Sequence, residues 1–205
     1  MKPIKTDTRR LTQLALLLAL VLIMAYTPLG YLPIGPLSLS LLTIPVAIGG
    51  MLLGPVGGAI LGTAFGLTSF MSAMEGKSAM GTALFTLNPV WCFVVTVVAR
   101  LLCGLLCALI YRAVCKLLPG RTKLCCALGG LAAPVLNTFF FMGLLVFFYY
   151  DSDYVQGLVT TLGVGNPLTF VVALVGVQGV IEAVVCCAVS AAVTVPLLKF
   201  LGKKK

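Results

Sequence analysis

The chain has 205 residues, of which 60% are hydrophobic and only 9% charged, with a formal charge of +9 and a mean hydropathy of +1.16. That balance excludes a soluble globular domain and a disordered polar tail, and identifies an all-α integral membrane protein. Histidine is absent, which removes Ser-His and Cys-His nucleophile pairs and the paired-histidine zinc motif, so an enzyme is not expected.

The chain opens with "MKPIKTDTRRLTQLALLLALVLIMAYTPLG". A basic start before an apolar run has the outline of a secretory signal, but the run is span length and lacks a small-residue cleavage site, so it is read as the first helix, about 11–29. No Asp, Glu, Lys or Arg occurs from Leu11 to Met74, enough for about three crossings at some 20 residues each. "TPLGYLPIGPLS" interrupts that run with prolines and glycines and predicts an external loop over 30–37. Helices are then expected at 38–53 and 56–74, with a turn at Pro55. Glycines at 50, 54, 58, 62 and 66 form a four-residue repeat that lets helix backbones approach closely. A second external segment, 75–87, is read as partly helical. Its "GKS" at 76–78 matches the end of a phosphate-binding loop, but Met71 stands where that motif needs glycine, so no ATP site is assigned to this chain. Three further helices follow at 88–116, 124–149 and 167–199, with an external loop over 150–166. The whole is one membrane domain, 1–205, of six transmembrane helices.

Orientation follows from the cations. Lys2, Lys5, Arg9, Arg10, Arg112, Lys116, Arg121, Lys123, Lys199, Lys203, Lys204 and Lys205 all fall on one side of the six-span arrangement, and only Lys77 on the other. Basic residues accumulate on the cytoplasmic side, so both termini are expected there, and nucleic acid is not needed to explain the charge. The eight cysteines lie in spans or near the cytoplasmic face, with no CxxC and no histidine. They predict neither disulfides nor a metal site, and Cys103 and Cys107 read as small packing residues.

The remaining chemistry sits in polar side chains inside the spans: Arg100, then Asn137 and Thr138, then Gln178 and Glu182 one turn apart. Ionisable groups at such depth face the protein interior or an aqueous cavity. At 1.5 Å per residue, Arg100 lies about 18 Å below Asn88 and Glu182 about 22 Å below Pro167, depths that match. Arg100 is therefore either half of an ion pair that clasps two helices or the contact for an anionic ligand, and the sequence leaves both open.

Several segments together carry a resemblance. "RRLTQLALLLAL" with Ala15-x-x-x-Ala19, "IPVAIGGMLLGPVGGAILGTAFGLTSF", "VARLLCGLLCALIYR", "LNTFFFMGLLVFF" and "GVIEAVVCCAVSAAVTVPLLK" follow one another as in the substrate-binding S components of energy-coupling factor (ECF) vitamin transporters, which the chain resembles over its length, most nearly the pantothenate type. The resemblance implies a bacterial cell membrane protein that binds a vitamin near its external side. It implies that the loop after the first helix, with Tyr31, Pro33 and Gly35, covers the ligand. Ala15 and Ala19 would dock on a membrane-embedded coupling subunit that works with two ATPase subunits. ATP would be bound by those partners, so no cofactor is expected here. Toppling of the subunit would release the vitamin inward. Candidate substrate contacts are Asn88, Trp91, Arg100, Asn137, Thr138, Asn166, Gln178 and Glu182, with riboflavin or another vitamin as the alternative substrate. A different reading of the same spans is a self-sufficient secondary carrier in which Glu182 is the proton-coupling carboxylate.

Overall fold

The structure is a computed structural model that describes residues 8–34 and 37–202. Helix α1 (Thr8–Tyr26) leads into a hairpin of β1 (Tyr31–Ile34) and β2 (Leu37–Ser40), followed by α2 (Thr43–Leu53), α3 (Pro55–Met74) and α4 (Ala79–Leu87). Next come α5 (Pro89–Phe93), a π-helical turn (Val94–Val98) and α6 (Ala99–Leu117), which run on as one rod. Helices α7 (Thr122–Tyr149), α8 (Asp153–Leu162) and α9 (Pro167–Gly202) complete the chain. Among the described residues, five helices are long and apolar enough to cross a membrane: α1, α3, the 89–117 rod, α7 and α9.

The expected second span is where structure and sequence part. Instead of a helix over 38–53, residues 37–40 form β2, antiparallel to β1 with Tyr31 opposite Ser40 and Pro33 opposite Ser38. The helix that remains, α2, has 11 residues and is about 16 Å long, too short to cross the hydrocarbon alone. The expected loop over 30–37 is thus the first arm and turn of a hairpin, and Gly35 lies outside the described residues. The segments expected as external loops at 75–87 and 150–166 contain α4 and α8. Their starts are written in local chemistry: the Ser78 hydroxyl accepts from the Gly81 N–H at 3.2 Å, and the Ser152 hydroxyl from the Val155 N–H at 3.4 Å. Both satisfy backbone donors that a helix start leaves free.

The glycine repeat does structural work along α3. A Cβ at Gly58 would run into the Gly104 carbonyl and one at Gly62 into the Arg100 carbonyl, while one at Gly66 would stand 2.7 Å from Val97 Cα. The backbone of α3 therefore rests directly on the π-turn and α6, the close approach that small residues at four-residue spacing permit. Gly54, at φ 85°, makes the turn from α2 into α3, and Pro55 occupies the first helical position after it.

Buried side chains gather in three groups. At the hairpin end, Leu84, Met142, Leu145, Val155 and Phe170 join α4, α7, α8 and α9. Leu17, Val21, Leu61 and Phe65 hold α1 against α3. Toward the other end, Cys103, Cys107, Cys126 and Cys186 pack with Ala47 and Ala133. The Cys103 and Cys107 thiols donate to the carbonyls of Ala133 (3.1 Å) and Gly129 (3.2 Å) on α7, so they act as small packing groups with a weak donor.

Candidate functional site

Between these groups lies a cavity of about 200 Å³, lined from α3, α4, the π-turn, α6, α7 and α9, with Tyr31 of β1, Ser40 of β2 and Ala25 near the end of α1 also contributing. This is below the roughly 300–1,000 Å³ of sites for drug-sized ligands, and suits a small molecule. Arg100, Asn137, Thr138, Gln178 and Glu182 all line it, as does Tyr31 from the hairpin. The sequence separates these positions widely; the helix packing brings them to one space.

Arg100 is 7% exposed. The glycine seam fixes its backbone, and the π-turn just before it adds a residue to the helical turn, a feature common at functional sites. Its Nη1 donates to the Thr96 carbonyl at 3.0 Å. The guanidinium carbon lies 4.5 Å from the Phe65 ring centroid and 5.1 Å from that of Phe141, so two aromatic rings hold the cation in place. Its Nε has no hydrogen-bond partner among the described residues.

Glu182 does not take up that cation. Its carboxylate accepts the backbone N–H of Ser40 at the end of β2, and no contact of ion-pair length joins it to Arg100. The clasp between the rod and α9 is therefore not made. The two charges face one cavity, and Glu182 is committed to holding the hairpin. A second tie runs from Tyr31, whose hydroxyl lies 2.6 Å from that of Ser69 on α3. Asn137 projects from α7 three residues after Pro134, which sits inside that helix and cannot supply its own backbone donor. The Asn137 Oδ1 is buried and has no hydrogen-bond partner among the described residues.

Three expected contacts lie elsewhere, each for a local reason. The Asn88 side chain caps the rod, its Oδ1 accepting from the N–H groups of Val90 (3.0 Å) and Trp91 (3.2 Å). Trp91 is exposed and stacks on Phe148 with ring centroids 4.1 Å apart. Asn166 is exposed and pairs locally with Thr169 at the start of α9. None of the three lines the cavity. Ala15 and Ala19 are exposed on α1, which is anchored by Leu17 and Val21 instead, so intramolecular packing does not account for the two alanines.

The sequence reading missed Ser40, Ser69, Ser72, Thr96, Lys77 and Phe141 as lining residues. For Lys77 a signal existed, since it is the one cation on the expected external side. It pairs with Glu75 at 2.5 Å, and that hydrogen bond and charge hold its pKa above the ordinary lysine value. Ser69 and Ser72, three residues apart near the end of α3, share a helix face.

A bundle of apolar helices thus encloses a small cavity lined by both polar and apolar side chains, among them a buried cation and Tyr31 and Ser40 of the hairpin. The family model for the ECF transporter substrate-specific component matches residues 9–194. The chain belongs to that family, and is a multi-pass integral membrane protein and the substrate-specific subunit of an ECF transporter, a transport component rather than an enzyme. Membership implies work with ECF coupling and ATPase subunits. A search of curated proteins returns no match to this chain.

Proposed function

We propose that this subunit captures pantothenate, or a closely related small carboxylate vitamin, from outside a bacterial cell membrane in which both its termini are cytoplasmic. The observation that carries the reading is Arg100: a buried guanidinium lining a small cavity, framed by two aromatic rings and, among the described residues, in no direct ion pair, with Glu182 across the same cavity. A buried cation is costly unless paired, and a ligand carboxylate supplies the missing charge. Thr138 and Gln178 offer neutral polar contacts to the rest of the molecule. The cavity's small volume favours pantothenate over the tricyclic riboflavin.

The hairpin is the cover. Its two ties, Tyr31 to Ser69 and Ser40 to Glu182, release together when the cover lifts. Exposed Ala15 and Ala19 give α1 a low surface against which the coupling subunit packs, and toppling of the docked subunit then delivers the vitamin inward, with ATP hydrolysed by the partner subunits.

The test is calorimetry and thermal shift on the detergent-purified single chain with a panel of vitamins. Tight binding of pantothenate without any partner is the expected result. No binding to any vitamin, together with proton-driven uptake by the lone chain in liposomes, would replace this reading with a secondary carrier using Glu182.

A further inference from the structure

Between Arg10 and Arg100 the sequence holds a single basic residue, Lys77. Its side chain is 61% exposed and it also contributes to the cavity lining. A residue that does both marks where the cavity opens to the exterior. Its ammonium pairs with Glu75 at 2.5 Å and lies 5.8 Å from the ring centroid of Tyr26 at the end of α1. Glu75 is outside the lining, so only the cationic member of this pair belongs to the cavity.

An exposed ion pair is held weakly, because water and salt compete for both partners, so Glu75 is readily exchanged for another carboxylate. With both termini cytoplasmic, the external segments carry Glu75, Asp151 and Asp153 and no cation besides Lys77. An approaching anion is repelled by those carboxylates and attracted at Lys77 alone. The route inward is polar. Ser72, Ser69 and Phe65 follow one another on one face of α3; the two serines line the cavity and the Phe65 ring meets Arg100. Seven residues of helix put Ser72 about 10 Å from Phe65 along the axis. The Lys77 N–H donates to the Ser72 carbonyl at 3.0 Å, so the two cations stand at opposite ends of this face, and an anion from outside meets Lys77 first.

We propose that Lys77 is the capture residue of this cavity: an incoming carboxylate displaces Glu75 from beside Lys77 at the opening and then moves inward to Arg100. This rests on the carboxylate reading above and adds an order of contacts to it. Lys77 governs how fast the anion enters and Arg100 how long it stays. Glu75 is the stand-in that holds the ammonium at the opening of the empty protein. A charge at the rim acts at long range on the encounter, so its removal alters association more than dissociation.

The experiment measures association and dissociation rates of pantothenate, and of its neutral alcohol counterpart panthenol, with the purified full chain at low and high salt. The expected result is pantothenate association that slows as salt rises, because screening weakens exposed charges most. Lys77→Gln should lower the low-salt association rate by about threefold and remove its slowing by salt, with a smaller change in dissociation. Lys77→Arg should restore the parent rate, and Glu75→Gln, which frees the ammonium, should raise it by about twofold. Pantothenate associating equally fast with the parent and Lys77→Gln, or pantothenate and panthenol slowed alike by that change, would overturn the inference and leave the carboxylate reading intact. If the variants do not fold, the unaltered chain decides: pantothenate association that does not slow with salt overturns the inference. Panthenol binding as tightly as pantothenate, or no binding of pantothenate, would overturn both.

Discussion

The seam between α3 and the π-turn and α6 and the cavity beside it share Arg100, yet they are built on opposite terms. Along the seam, backbone meets backbone: Gly58, Gly62 and Gly66 leave no room for even one added carbon. A few ångströms away, the Arg100 side chain reaches the cavity lining, and among the described residues its Nε and Asn137 Oδ1, both buried, have no hydrogen-bond partner. The contrast teaches that the unpaired Nε sits on a backbone held firmly from behind, because the Arg100 carbonyl rests directly against Gly62 of α3. Rigid support behind the cavity wall suits the binding site proposed above, since ordering a site at the moment of binding would cost affinity.

That comparison can be broken from the seam side. Gly62→Val forces a branched side chain into the Arg100 carbonyl, and overpacking of this kind costs about 3 kcal/mol. The expected outcome is a large fall in thermal stability and in folded yield, measured by melting in detergent; a variant that melts like the parent would show that the seam yields. A smaller effect is expected at the entrance to the rod. Asn88→Ala removes a helix cap, so it should cost about 1 kcal/mol of stability and leave the affinity of any cavity ligand unchanged, checked by melting and calorimetry in parallel. At the cover, Tyr31→Phe deletes one hydrogen bond to Ser69, and a change of about 1 kcal/mol should appear as ligand dissociation faster by about fivefold in stopped-flow, with the melting temperature of the empty protein hardly moved.

Much of this architecture is legible in the sequence, for reasons that particular residues make plain. Charge-free runs mark the long helices, and the glycines at 58, 62 and 66 announce a close helix contact. Polar side chains deep in spans are expensive enough that Arg100, Asn137, Thr138, Gln178 and Glu182 could be singled out, and all five line the cavity. Asn88 lies outside the cavity lining because its side chain caps a helix, and an asparagine that caps a helix and one that meets a ligand are alike in sequence; Asn166 lies outside it at the exposed start of α9. Trp91 misleads because an aromatic at a span end also serves as surface packing. The small hydroxyls Ser40, Ser69 and Thr96 pass unnoticed since such groups are readily satisfied by a nearby backbone carbonyl, as Thr96 is by Cys92 at 2.7 Å. The ring pair around Arg100 depends on how α3, α6 and α7 pack, which spacing along the chain does not encode. For the second span, hydrophobicity persists through Leu37 and Leu39, so only the backbone pairing of the hairpin separates strand from helix there.

The central claim is that Arg100 serves a ligand and not Glu182. The measurement that tests it most directly is the melting temperature and pantothenate affinity of Arg100→Met, alone and combined with Glu182→Gln. The account predicts that Arg100→Met folds, with pantothenate affinity lower by on the order of a hundredfold, the loss of a charge-assisted contact, and that adding Glu182→Gln does not restore stability. Arg100→Met that unfolds and is rescued by Glu182→Gln would mean that the two charges clasp the helices together, and would contradict it.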